Sequence, residues 1–241
     1  MQPEDCERLR DVTLFSELSE ETLGALTKGA FLQRFPSQTV LFSQGDLPDF
    51  LYVLLEGSVQ FTGTAPDERE TVVEILKPID AFMPAAVVTN TPYLVSAKVV
   101  HPARILMVPA AAVHQAIAHD ANMSLAMLAS LSRQYRALLR QVKDLKLRTS
   151  TQRLGCYLLA LAAENGADGQ VELPHDKRLI AARLGMTPES LSRAFSSLRT
   201  MGVEVRGHRI RLTDVSKLRQ YCRPDRLIDS AEPELKVVSA A

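Results

Sequence analysis

The chain has 241 residues and carries 28 Lys/Arg against 28 Asp/Glu, so its formal net charge is zero. That length holds one large domain or two smaller ones, and no apolar run approaches the length a helix needs to cross a bilayer. The N-terminal MQPEDCERLR is acidic and unlike a secretory signal, and Cys6, Cys156 and Cys222 are too scattered for a disulfide framework or a cysteine-rich zinc site; a cytoplasmic location is expected.

LFSELSEETLGALTKGA predicts a short helix with Ser19 as its cap and Leu23 and Leu26 facing inward. From Phe31 to Val108 the texture changes to short segments rich in Val, Leu, Phe and Ile, among them TVLFSQGD, FLYVLLEGSVQFTG, ETVVEILKP, LVSAKVV and ARILMVP. Gly and Pro punctuate them, which predicts an antiparallel sandwich or barrel with Gly45 and Gly57 at turns. After Pro109 the pattern is helical. AAAVHQAIAHD is short, and Asn122 to Leu147 runs on without Gly or Pro. There Leu128, Leu131, Tyr135, Leu138, Val142 and Leu145 recur at spacings of 3, 4, 3, 4 and 3, with Arg133, Arg136, Arg140, Lys143 and Lys146 off the stripe. A narrow seam with a charged remainder fits a two-helix contact in a homodimer; a core helix of a monomer is the plainer alternative.

STQRLGCYLLALAAE predicts a further helix capped by Ser150 or Thr151, NGADGQ a loop, and VELP a short strand. Two helices follow from His175. Next comes GVEVRGHRIRLTD, a hairpin turning at Arg206-Gly207-His208, and a last helix around Val215 to Tyr221. The tail after Pro224 lacks periodicity and is expected to be loose. Charge is uneven along the chain: Met1 to Ala121 has 8 Lys/Arg against 16 Asp/Glu, whereas Pro174 to Arg226 has 12 against 5. One basic end implies an anionic partner, with a merely solvated basic face as the alternative.

The basic end contains KRLIAARLGMTPESLSRAFSSL. Ile180, Ala181 and Leu184 lie on the inner side of its first helix, Gly185 ends it, and Thr187 caps a second helix that Pro188 begins. Leu191, Ala194, Phe195 and Leu198 recur at helical spacing, leaving Glu189, Ser192, Arg193 and Ser196 outward. This predicts a helix-turn-helix whose second helix enters the major groove of double-stranded DNA. Arg193 suits a two-pronged contact to guanine O6 and N7, Glu189 accepts from cytosine N4, and Ser192 is a short donor or acceptor beside a base. Thr187, Ser190, Arg199, Arg206, His208 and Arg209 are placed for phosphates.

The order of parts resembles the CRP/FNR superfamily of bacterial transcription regulators, through LFSELSEETLGAL, GDLPDFLYVLLEGSV and LIAARLGMTPESLSRAFSSLRTMGVEV. The resemblance implies an α+β chain: an N-terminal antiparallel β-roll of the cyclic-nucleotide-binding jelly-roll type over 1–121, a dimerisation helix over 122–148, and a winged helix-turn-helix over 149–226. Residues 227–241 are left as a flexible tail. PESLSR looks like the FNR-type recognition helix, which implies a TTG half-site with its inverted CAA repeat, RNA polymerase as a further partner, no enzymatic role, and transcription activation. STQRLGCYLLAL and DKRLIAARLGMTPESLSRAF look most like the regulators of nitrite and nitric oxide reduction, the Dnr/NnrR-like branch, which implies a response to nitrogen oxides.

Two departures bear on the effector. Phe82, Met83, Pro84, Val95 and Ser96 occupy the expected effector pocket, with Met83 and Pro84 in the place of a Gly-Glu pair and Val95 where an arginine would precede Ser96-Ala97. Without that arginine a cyclic phosphate loses its charge-assisted partner, so cyclic AMP is not expected. Cys6 alone does not supply an iron–sulfur centre. Haem, sensing nitric oxide, is the family-level suggestion, with His101, His114, His119 and Met83 as candidate ligands. A ligand-independent regulator is the alternative. A cupin-type enzyme is disfavoured because His101 is the only histidine in the strand region.

Overall fold

The computed structural model describes residues 9–76, 78, 80–165 and 169–229; Cys6 and the tail beyond Asp229 lie outside them. The chain divides into two compact units at Tyr135–Arg136. No helix among the described residues is long and apolar enough to cross a membrane.

The first unit begins with α1 (Glu20–Lys28), where the Ser19 hydroxyl accepts from the Thr22 amide at 3.1 Å and Leu23 and Leu26 are buried. Six strands follow: β1 (Phe31–Phe35), β2 (Val40–Phe42), β3 (Phe50–Thr64), β4 (Glu70–Leu76), β5 (Asp80–Phe82) and β6 (Ser96–Pro109), with a short helix α2 (Pro84–Thr89) before β6. They form one antiparallel sheet of order β1-β6-β3-β4, in which β2 also pairs with β6 and β5 with β3. LVSAKVV and ARILMVP, expected as separate segments, are joined in the single strand β6 of 14 residues. Alternation along the long strands feeds two cores. Tyr52 and Leu54 join Phe42, Phe61, Phe82, Tyr93 and Ile105 in an aromatic-rich cluster, while Leu51 and Val53 join Leu106, Val108 and the buried Leu and Phe of α1 and its preceding turns.

Gly45 has φ +95 within a turn region, but Gly57 (φ +86) is not at a turn. It lies inside β3, where the register against β6 slips on both sides of Glu56. An added Cβ would overlap the Pro102 carbonyl oxygen and lie 2.7 Å from Ala103 Cα, so the glycine answers to a bulge and a close backbone approach.

After α3 (Ala110–His119), the helix α4 (Ala121–Leu147) runs for 27 residues. Met123, Met127 and Ser130 are buried, and Leu131 is half-buried against the first unit's core. By contrast Leu128, Tyr135, Leu138, Val142 and Leu145 are 42–64% exposed.

The second unit contains α5 (Ser150–Asn165), β7 (Gln170–Glu172), α6 (Lys177–Arg183), α7 (Pro188–Leu198), β8 (Val203–Arg206), β9 (Arg209–Leu212), α8 (Val215–Cys222) and α9 (Arg226–Asp229). Its three strands order as β7-β9-β8. Neither Ser150 nor Thr151 caps α5. Thr149 does: its hydroxyl accepts from the Gln152 amide at 3.3 Å while Gln152 Oε1 accepts from the Thr149 amide at 3.0 Å, a reciprocal capping box. The segment after Pro224, expected to be loose, is tied down as far as Asp229. Arg148 donates to both Asp229 carboxylate oxygens at 2.7 and 2.6 Å, and Lys143 pairs with Asp225 at 3.4 Å.

Candidate nucleic-acid interface and effector site

The helix-turn-helix is held by local chemistry first. Asp176 caps α6 by accepting from the Leu179 amide at 2.8 Å. Gly185 (φ +61) closes that helix in the left-handed conformation, with Met186 N–H donating to Ala181 O at 3.0 Å and Gly185 N–H to Ala182 O at 2.9 Å. Thr187 then caps α7 by accepting from the Ser190 amide at 3.2 Å, and Pro188 takes the first helical position. Ile180, Ala181, Leu184, Leu191, Ala194, Phe195 and Leu198 are all buried in the unit's core.

A buried side chain completes the corner. Arg153 on α5 is 7% exposed and spends its donors on three carbonyls: Nε to Leu184 at 2.9 Å, Nη1 to Arg148 at 2.9 Å and Nη2 to Gly185 at 3.2 Å. Two of these are the carbonyls that the end of α6 leaves without helical partners. The sequence did not single this residue out, because an arginine inside an apolar helix stretch declares neither its burial nor its acceptors.

On the outer side, Glu189, Ser192, Arg193 and Ser196 are exposed together. Arg193 Nη2 donates to Ser190 Oγ at 3.1 Å, and Ser192 Oγ donates back to Pro188 O at 3.0 Å. Thus the Ser190 hydroxyl, expected at a phosphate, steadies the guanidinium in the free chain. The Glu189 carboxyl is held below its ordinary range, first by its own backbone N–H and the Thr187 side chain and then by Arg193; it presents an anion at the positive end of the helix.

The wing adds a second basic surface. Val203, Ile210 and Leu212 point into the core, so Glu204, Arg206, Arg209 and Arg211 share the opposite face, with Glu204 opposite Arg211 and Arg206 opposite Arg209. Those four residues, with Gln170 and Ile210, line a shallow cleft. His208 is exposed in the hairpin turn, and Arg199 is exposed beyond α7. Arg211 was not picked out from sequence; only the strand register puts it beside the other two arginines.

A cyclic nucleotide-binding domain model matches residues 32–120, and a Crp-like helix-turn-helix domain model matches residues 152–221. A Ruegeria pomeroyi protein of known structure, classed with the cyclic nucleotide-binding proteins, is 32% identical, covers 93% of this chain and is itself covered over 100%, with a TM-score of 0.59. The chain belongs to the CRP/FNR family of transcription regulators. It is a DNA-binding regulator with an N-terminal effector-binding domain. Its relatives in this family include DNR of Pseudomonas aeruginosa, 27% identical over 92% of this chain and 99% of that one at a TM-score of 0.52. They also include the CRP-like cAMP-activated global transcriptional regulator of Mycobacterium tuberculosis, 26% identical over 87% of this chain and 96% of that protein.

In the family's sensing domain the five expected effector residues gather around α2 and the start of β6. Phe82 is buried, Met83 and Val95 pack against the same aromatic-rich cluster, and Pro84 is buried at the start of α2. Ser96 Oγ is engaged by the Gln44 amide at 2.9 Å. Met83 is held at φ +60, ψ +32, a backbone that favours glycine. At this corner the side chains of Met83 and Pro84 supply no charge, and Pro84 removes an N–H donor. Around it the interior is filled: Phe42 stacks on Tyr93 at 3.8 Å and Tyr52 on Phe82 at 5.3 Å. Burial, with the acidic Asp49 and Asp46 adding to it, pushes the Tyr52 hydroxyl up to about 12, so this phenol stays protonated.

The candidate haem ligands do not converge. His101, His114 and His119 are exposed; each has a ring nitrogen against a protein oxygen, namely Ser58 Oγ at 2.8 Å, Val87 O at 2.6 Å and Gln115 O at 2.8 Å. None supplies a buried proximal nitrogen next to Met83, so these residues do not fit a haem in the roll. Among the described residues no three His, Cys, Asp or Glu side chains group as a metal site.

Proposed function

We propose that the chain works as a homodimer that reads a TTG–CAA inverted repeat through α7 of each protomer and activates transcription with RNA polymerase in the cytoplasm. The observation that carries this reading is the division of α7 into two faces. Leu191, Ala194, Phe195 and Leu198 anchor one, and Glu189, Ser192 and Arg193 are exposed to solvent on the other. Arg193 donates to guanine O6 and N7, Glu189 accepts from cytosine N4, and Ser192 serves the neighbouring position. Thr187, Ser190, Arg199, Arg206, His208 and Arg209 supply phosphate contacts, which set affinity and salt dependence. The exposed stripe on α4 supports a second copy of the same helix as its partner, which gives the two-fold symmetry that an inverted repeat requires.

Selection from a random duplex pool tests this directly. The wild-type chain is expected to return TTG…CAA repeats. Arg193→Ala keeps its fold, because the residue is exposed, yet binds the preferred site more weakly by about 1–3 kcal/mol and loses stringency at the guanine position. Non-specific binding falls less, since the wing arginines remain. A pool without two-fold symmetry, or equal stringency in the variant, removes α7 as the reader.

The effector in this proposal is not a cyclic nucleotide. The names of the Ruegeria pomeroyi and Mycobacterium tuberculosis relatives favour the opposite reading. A melt separates the two: a ligand present at 100 times its Kd raises stability by about 2.7 kcal/mol. With Val95 and Met83 in the cassette, millimolar cyclic AMP or cyclic GMP is expected to leave the transition of the sensing domain unmoved. An upward shift makes this chain a cyclic-nucleotide receptor with a different phosphate partner.

A further inference from the structure

Cys156 on α5 and Cys222 at the end of α8 are 66 residues apart in sequence and meet in the core of the second unit. The Cys156 thiol donates to the Cys222 carbonyl oxygen at 3.8 Å. The Cys222 sulfur rests directly on Gly155, where an added Cβ would overlap it. A glycine beside the first cysteine is therefore what admits the second. The interaction of the two sulfurs, ahead of burial, raises Cys156 and lowers Cys222, with the Arg148 guanidinium favouring the thiolate of both.

We propose that Cys156 and Cys222 form a reversible disulfide, which makes the DNA-binding unit a target of hydroperoxides. The Cys222 thiolate attacks one oxygen of hydrogen peroxide. The O–O bond breaks, hydroxide leaves and takes up the proton that Cys222 released, and a sulfenic acid remains on Cys222. The Cys156 sulfur then attacks that sulfenic sulfur; the S–O bond breaks, and the departing hydroxide takes the Cys156 proton as water. Two thiols are oxidised and one peroxide is reduced to two waters. A dithiol reverses the step by exchange.

Both sulfurs are buried, at 4% and 1% exposure, so access comes through fraying of α8. That helix has eight residues and ends at Cys222, with Arg223 in the left-handed region at φ +49. The reaction is accordingly slower than at an exposed thiol. Its product joins α8 to α5, and the loop it closes contains α6, α7 and the wing. Cross-linking so long a loop restricts the unfolded chain and raises the melting midpoint of this unit, by about 10–30 °C.

The test uses the full chain with Cys6→Ser, leaving only this pair. After treatment with hydrogen peroxide and alkylation under denaturing conditions, intact mass is expected to show both thiols protected, with no intermolecular adduct. Proteolysis should give one peptide pair linking 156 to 222, dithiothreitol should restore two alkylatable thiols, and the oxidised sample should melt higher. Two free thiols after prolonged treatment overturn the proposal, as does oxidation that stops at a sulfinic acid on one cysteine or links two chains. Every reading is made on a chain that retains both cysteines, so a folding defect in a cysteine variant does not enter.

Discussion

A chain carrying Asp at both Leu128 and Leu138 is expected to sediment as a monomer and to lose its inverted-repeat site, with helical content preserved. Both leucines lie on α4 and are 53% and 51% exposed, so neither holds up the core of its own chain. Leu131 belongs to the same periodic stripe but is half-buried against the first unit's core; a charge there would confound dissociation with unfolding. In a two-helix seam the substitutions put four carboxylates into contact with apolar side chains. The effective penalty of burying each is several kcal/mol after relaxation. Loss of the dimer also removes the linkage between half-sites, which alone reduces affinity by about 10²–10⁴-fold. An intact dimer in sedimentation would show that Tyr135, Val142 and their neighbours serve something other than a second copy. Near-unchanged site binding by a true monomer would separate DNA reading from dimerisation.

How far the sequence could be read follows the range of the interactions. The corner at Gly185 and the start of α7 at Thr187–Pro188 were legible because their caps and backbone signals are contained within a few residues. The apolar spacing of Leu191, Ala194, Phe195 and Leu198 assigned the inner face in the same way. Gly57 was legible as a position needing an unusual backbone, but not as a bulge. That depends on Pro102 and Ala103 of β6, which only the sheet brings opposite it. At the start of α5 three hydroxyl residues stand in a row, and Thr149 wins because Gln152 answers it. Arg153, Arg211 and the Cys156–Cys222 contact were invisible for a common reason: each takes its meaning from a partner strand or helix far away in sequence. The same holds for the last described turn, where low periodicity suggested a loose tail and a charged partner 81 residues earlier holds it.

That turn carries the other large expected effect. Asp229→Ala is expected to destabilise the second unit by about 3 kcal/mol, read as a lower urea midpoint with an unchanged slope. The Arg148 side chain is only 6% exposed, and its two bonds to Asp229, together with one to Asp144 at 2.8 Å, satisfy a guanidinium that water hardly reaches. Asp229 does most to raise the arginine's pKa, and even without it a guanidinium is not deprotonated in a protein, so the charge stays in place when the partner goes. Asp229 is 20% exposed, which screens the pair and sets the figure at the lower end of the range for a broken buried ion pair. Its carboxylate also accepts from the Asp225 amide at 2.7 Å, and Asp225 in turn meets Lys143, so the Ala variant releases the whole turn from the end of α4. Arg148→Met combined with Asp229→Leu removes both charges, and it should recover more than half of the loss, because the uncompensated guanidinium is what the single variant leaves behind. If the double variant were as unstable as Asp229→Ala, the stabilisation would come from packing around the half-buried Ile228, and the ion pair would be incidental.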